Sequence, residues 1–264
     1  MFTKLQHKFI KVNSIENNLY EFYRIFETVK SVMHIQEKGF EVIQAPDNSW
    51  PQMIFNLDQA TDTQKLIPTI TAEIGKNQYP SSFIVPEGYL SRNHTELLKT
   101  NGLVPIKMLK GMNIVPEINK EITLPNNCEI CDLIRETHLI AFANLIRKEF
   151  IAPEMSFRNG ILSEVKSCKE IKMIGLFYEK TLVSSLLVLT KDNISGLYFI
   201  VTKTENKNQG YATTLINFVL NQLHNYGVKE VVLHANHNSF VLYKKLGFIE
   251  QNRFIIYRKL SHGQ

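Results

Sequence analysis

Along residues 126–264 the apolar positions change period repeatedly, and each change marks an element. Residues 129–134 read as a short strand. From His138 to Phe150 (HLIAFANLIRKEF) apolar residues recur every three or four positions, the spacing of a helix with one buried face, and the pattern stops before Pro153. A short second helix is expected over 156–166. Three apolar, β-branched stretches, 171–178, 182–190 and 194–202, are parted by tight breaks and read as an antiparallel meander. A helix then runs from Gly210 to Tyr226, with Gly227 as its stop. After it come a strand at 230–235, a short helix at 238–246 ending at Gly247, and a last strand over 248–259. Strands followed by a β-loop-α-β-α-β order make a mixed α+β sheet rather than a doubly wound parallel one.

Residues 1–125 echo this order. LLKTNGL (97–103) aligns with LYKKLGF (242–248) at an offset of 145. FIV (83–85) stands where VVL (231–233) stands, and the strand-like PIKMLKGMNI (105–114) follows. The segment from Gln64 to Gly75, expected to hold a loop equivalent to the one before Gly210, has no glycine opening it. The aromatic helix at 18–29 (NLYEFYRIFETV) and Trp50-Pro51 offer apolar surface for an interface between the halves. The stretch from Val115 to Asn127 (VPEINKEITLPNN), with two prolines and little periodicity, reads as the linker. The chain therefore divides into 1–125 and 126–264.

Composition narrows the class. Hydrophobic residues at 44% and charged residues at 21% are those of an ordinary globular chain, which excludes a disordered or fibrous protein. No run of about 18 apolar residues occurs, so no membrane helix is expected. The first residues lack a sustained apolar core and a cleavage site, so no secretory leader is expected, and three cysteines fit a reducing cytoplasm. Cys128 and Cys131 form one CxxC without a second ligand pair; they read as packing residues, and no metal site is expected. The net charge of +5 is unevenly placed: 13 Lys/Arg against 13 Asp/Glu before residue 126, and 17 against 12 after it. That excess suits an anionic partner of the second half. It is too small, and lacks a basic stripe with interleaved aromatics, for nucleic acid.

The stretch TKTENKNQGYATTLINFVLNQL (202–223) is the most informative about that partner. A strand enters a polar loop, a glycine is followed by small residues, and an amphipathic helix begins. Amides at a helix start are unsatisfied and the dipole is positive there, so the loop suits a phosphate. It is neither a Walker A loop nor a dinucleotide fingerprint. Downstream, HANHNSFVLYKKLGF (234–248) joins a strand end, two asparagines and a short helix carrying Tyr243.

Together these two segments resemble the GNAT N-acetyltransferase superfamily. Its central motif, Arg/Gln-x-x-Gly-x-Gly/Ala, stands here as Lys207-Asn208-Gln209-Gly210-Tyr211-Ala212. Its following motif stands as Asn236 and then Leu242-Tyr243-Lys244-Lys245-Leu246-Gly247-Phe248. The resemblance covers about residues 128–260. Lys207 replaces the usual Arg or Gln and offers a point charge without a bidentate fork.

The resemblance implies a GNAT-like α+β fold, a mostly antiparallel sheet flanked by helices, in two tandem copies of which the first is degenerate, with Leu98 in the slot of Tyr243. It implies acetyl-CoA as cofactor, CoA as product, and an amine-bearing acceptor, a small molecule or peptide, in a cytoplasmic bacterial enzyme acting as monomer or homodimer. The pyrophosphate would sit on the amides of Asn208, Gln209, Gly210, Tyr211, Ala212 and Thr213 beside Lys207, and the pantetheine along Ile200, Val201 and Thr202. The amide of Val201 would face the developing oxyanion. Asn236 and Ser239 would position the thiol end, Lys245 could reach a 3′-phosphate, and Tyr243 would be the acid that protonates the CoA thiolate. For the base, strand 194–202 has no carboxylate; His234, Tyr198, Glu154 and Glu205 stand nearest, and His234 has the most suitable unperturbed pKa, about 6.5. A CoA-binding sensor without turnover is the alternative. The acceptor wall would come from Ile151–Asn159 and from the first half.

Overall fold

The computed structural model describes residues 13–58, 62–117, 122–151, 155–158 and 160–259. The first helix, α1 (Ser14–Arg24), starts where the Asn13 side chain accepts the Ile15 amide at 3.0 Å. Its apolar face, Ile15, Leu19, Tyr20, Phe22 and Tyr23, is buried. A hairpin of β1 (Met33–Glu37) and β2 (Phe40–Gln44) follows, then β3 (Gln52–Phe55), α2 (Thr63–Gly75), β4 (Ser82–Pro86), α3 (Arg92–Thr100) and the long β5 (Leu103–Ile114). Beyond the linker the same succession returns. It comprises β6 (Cys128–Asp132), α4 (Glu136–Glu149), α5 (Ile161–Val165), the meander β7 (Ile171–Tyr178), β8 (Thr181–Lys191) and β9 (Ile194–Thr202), then α6 (Tyr211–Asn225), β10 (Glu230–Ala235), α7 (Phe240–Lys245) and β11 (Ile249–Lys259).

All eleven strands form one sheet in the order β1-β2-β3-β4-β11-β5-β10-β9-β8-β7-β6. The tandem repeat is visible in its geometry. β4 runs parallel to β3, as β10 runs parallel to β9. Each copy's closing strand lies beside the other copy: β5 pairs with β10, β11 pairs with β4, and the two pair with each other along their lengths. The sheet is thus not divided at the linker. The segment from Gln64 to Gly75, read as loop-bearing, is helix α2 itself. The side chain of Asp62 caps it by accepting the Gln64 amide at 3.2 Å, and this carboxylate stands where a phosphate would have to approach.

β8 is apolar on both faces because helices cover both. Leu187 and Leu189 point to the core under α1, α4 and α5, whereas Leu186 and Val188 point to the core under α6 and α7. A third core under α2 and α3 contains Ile67, Ile70, Phe83, Leu98 and, from the far end of the chain, Tyr257. Helix α1 belongs to the first half but packs on the second half's sheet. Gly196 permits this, since a Cβ there would stand 1.8 Å from the Asn18 side-chain oxygen. That oxygen accepts the Tyr198 hydroxyl at 2.7 Å, and Phe22 stacks on Tyr198 at 3.8 Å between ring centroids. Tyr198, named above as a possible base, is a buried donor whose pKa burial holds well above the ordinary phenol value. Lys191 reaches across to Glu21 at 2.6 Å.

At the other edge of α1, Glu41 gathers Arg24, the Asn56 amide at 2.5 Å and the His34 ring at 2.8 Å. Burial alone would raise its carboxyl, but the hydrogen bonds from Arg24, Asn56 and His34 outweigh burial and hold it at about 2. A carboxyl depressed on folding contributes stability above its unfolded value near 4.5 that is lost as pH falls towards 2. Glu41→Gln is therefore expected to cost roughly 3 kcal/mol at pH 7 and to flatten the acid limb of stability in urea titrations between those two pH values. An unchanged acid limb would remove Glu41 from that role.

Candidate functional site

β9 and β10 pair from Ile194↔Glu230 to Leu197↔Leu233 and no further. Just beyond, β9 bulges: Ser185 and Leu187 of β8 face Val201 and Tyr198, and Phe199 takes a φ of +48°. A bulge leaves a residue out of the ladder and turns its peptide groups away from the neighbouring strand. The two parallel strands consequently diverge, and a cleft of about 490 Å³ opens between them. Ile200, Val201, Thr202 and Lys207 line one side, and His234, Asn236, Ser239 and Tyr243 the other.

Helix α6 begins four residues beyond Lys207; Asn208, Gln209, Gly210, Tyr211, Ala212 and Thr213 do not themselves line the cleft. Gly210, its N-cap, has φ +85° and supplies no side-chain cap, and no atom lies within 4 Å of where its Cβ would stand. Asn208 is also left-handed, at φ +63°. The amides of Tyr211, Ala212 and Thr213 form the first turn of α6, behind an open approach, while the Tyr211 ring is buried beside Tyr178. Asn208 and Gln209 are exposed in the loop, and Gln209 donates to the Glu205 carbonyl at 3.3 Å. This contrasts with α2, the matching helix of the first half, whose start is filled by Asp62.

Lys207 lies at the cleft but is held there. Its ammonium contacts Glu149 at 3.0 Å and the Thr204 hydroxyl at 3.0 Å. Glu149, at the end of α4, also accepts the Thr204 amide at 3.0 Å and the Thr204 hydroxyl at 2.6 Å. Burial would raise this carboxyl, yet the Thr204 and Lys207 bonds pull it below the usual range. Glu149 escaped the sequence reading because it stands 58 residues before its partner.

Tyr243 is buried on α7 with Phe248 against its ring edge. Burial pushes its phenol up to about 12, partly offset by the Ser239 hydroxyl, so it keeps its proton at neutral pH. Asn236 and Ser239 are engaged with each other: the Asn236 side-chain oxygen accepts the Ser239 amide at 2.9 Å and its hydroxyl at 3.1 Å. This turn fixes the start of α7 and with it the position of Tyr243. His234 is half-buried between the rings of Tyr198 and Phe254, with both ring nitrogens shielded and neither hydrogen-bonded. Burial lowers it to about 3, so the imidazole is neutral throughout the physiological range. Lys245 is exposed in the last turn of α7 and does not line the cleft. Glu205 is exposed and pairs with Lys148 at 3.5 Å. Glu154 lies outside the described residues.

The first half supplies further lining, Phe22 and Tyr23 of α1, Trp50, Gln52 of β3 and Lys107 of β5, and the second half adds Arg258 of β11. The aromatic helix and Trp50 had been read as interface surface. The two cations on exchanged strands carry no local signal. Among the described residues no group of three or more His, Cys, Asp or Glu is placed to hold a metal ion, and no helix is long and apolar enough to cross a membrane.

Residues 147–261 match the family model of the acetyltransferase (GNAT) domain. Two solved structures resemble nearly the whole chain. A GCN5-related N-acetyltransferase from Kribbella flavida superposes with a TM-score of 0.63 at 10% identity, covering 90% of this chain and 95% of that one. One from Sphaerobacter thermophilus gives 0.63 at 14% identity, covering 91% and 84%. A tandem GNAT protein from the clavulanic acid biosynthesis pathway gives 0.54 at 11% identity, covering 83% and 77%. At these identities the likeness is one of fold. No curated protein sequence matches the chain.

Proposed function

The chain carries a GNAT acetyltransferase domain at residues 147–261 within a tandem GNAT fold, and on that premise we propose that it moves an acetyl group from acetyl-CoA to a primary amine, with residues 126–264 as the catalytic copy. The observation that carries this reading is the cleft where β9 and β10 part, lined by Lys207 a few residues before a glycine-led helix start and by a protonated phenol.

The residues present fit such a cofactor. The open first turn of α6 suits a diphosphate, because its amides point at the approach and no side chain blocks it. The free edge of β9 from Ile200 to Thr202 suits an amide-bearing arm added as an extra strand. When bound, acetyl-CoA supplies an activated thioester carbonyl. Backbone N–H groups of β9 beside the bulge at Phe199 would be the donors to that carbonyl oxygen. Tyr243 would donate its proton to the sulfur as the carbon–sulfur bond breaks and the nitrogen–carbon bond forms, and the proton shed by the amine would pass to solvent, from which Tyr243 regains its own. His234, its ring nitrogens shielded and its pKa lowered to about 3, is too weak a base to deprotonate an ammonium, so the amine reacts in its neutral form.

Tyr243→Phe tests the acid role. It is expected to lower kcat about a hundredfold or more in a thiol-release assay while leaving CoA affinity within threefold. Equal turnover in the variant would remove Tyr243 as the acid. The second reading, a CoA-binding sensor, draws on His234, neutral and without a carboxylate partner. It predicts CoA binding with no amine-dependent thiol release by the wild type.

A further inference from the structure

The far end of the cleft differs chemically from its mouth. Of the described side chains lining it, Lys107, Lys207 and Arg258 are cationic and Glu149 alone is a carboxylate. Glu149 is bound to Lys207 at the cofactor end. The other two cations are on the strands exchanged between the copies. Arg258 is on β11, two strands from β10 and hence about 10 Å across the sheet; there it stands opposite Ser82 of β4. Lys107 is on β5 opposite Ile256, three residues beyond the point where β5 meets the end of β10. The rest of the lining includes the aromatic and apolar Phe22, Trp50, Met53, Leu109 and Phe150, the last packed on Phe199 of the bulge with the Lys107 ammonium 5.7 Å from its ring centre.

A polyamine or aminoglycoside acceptor calls for carboxylates at this end, to hold its additional positive charges. The described lining offers the reverse. Resting on the acetyl-transfer reading above, we infer that the acceptor is an amine that also bears a carboxylate, joined by an apolar or aromatic body, as in a large hydrophobic amino acid. Lys107 and Arg258 hold the carboxylate, the aromatic wall holds the body, and the amine points back to the bulge of β9. A guanidinium beside a strand-borne hydroxyl is well suited to a planar carboxylate.

The test separates carboxylate from amine recognition. 3-Phenylpropionate and 2-phenylethylamine, which share an aromatic body and differ in their charged end, are titrated calorimetrically into the full chain with and without saturating CoA. CoA itself is titrated first. The acid is expected to bind at least tenfold more tightly than the amine, and L-phenylalanine to bind like the acid. Arg258→Met, and independently Lys107→Met at an exposed strand position, are each expected to weaken 3-phenylpropionate about tenfold. Preference for 2-phenylethylamine, equal affinity, or no binding of either probe overturns the inference. Failure of CoA to bind overturns the acetyl-transfer reading instead, and the preference between the two probes is still read from the CoA-free titrations.

Discussion

Gly210→Glu is expected to abolish measurable CoA binding, at least a hundredfold loss or about 2.8 kcal/mol, while leaving the protein folded. Two effects act on the same spot. The new side chain enters the open space in front of α6, where no atom now lies within 4 Å of the Cβ position. Its carboxylate then takes the amides and the positive end of the helix that a diphosphate needs, as Asp62 does on α2. The backbone cost is modest: a left-handed non-glycine residue costs roughly 1–2 kcal/mol, and an acid at a helix start returns roughly 0.3–1 kcal/mol of that. Calorimetry with CoA and a thermal melt are read together, with Gly210→Ala isolating the backbone part. Affinity within threefold of wild type in a folded Gly210→Glu would show that the α6 start is not the phosphate seat.

The second large effect concerns the joint between the halves. Phe22 is fully enclosed by Tyr198, Phe26, Trp50 and Phe199, with one face stacked on Tyr198. Truncating such a ring costs about 3–5 kcal/mol, so Phe22→Ala is expected to lower the melting temperature by roughly 10 °C. Because Phe22 also lines the cleft, acceptor-dependent turnover is expected to fall more than CoA affinity, which the proposed seat at α6 would set. Phe22→Leu keeps most of the volume and should cost less than about 1.5 kcal/mol. A Phe22→Ala protein that melts within 2 °C of wild type would mean that α1 is not a principal tie between the copies.

The second half was legible because its signals are local. The meander over 171–202, the glycine opening α6, and Gly227 and Gly247 ending their helices at φ +75° and +94° each announce themselves within a few residues. The first half was harder. β1 has no face buried enough to impose alternation, and Pro68 interrupts the pattern of α2 from inside the helix. Only the packing residues around Leu98 kept the echo. At the site, Tyr243 and Asn236, which line the cleft, lie within one short motif and the α6 start within another. Glu149, Lys107 and Arg258 reach the cleft through long-range pairing, and Lys107 and Arg258 do so through strands that leave their own copy. A one-dimensional pattern fixes which face a residue shows; it does not specify which neighbour a strand selects.

That exchange bears on how the molecule is made. β11 lies in the middle of the sheet, between β4 and β5, yet on the ribosome it is synthesised after every other strand. Until residues 249–259 emerge, the nascent chain holds two inner strands with bare edges, the arrangement most open to pairing with another chain. Premature termination anywhere before Ile249 therefore removes the central seam of the sheet rather than its margin.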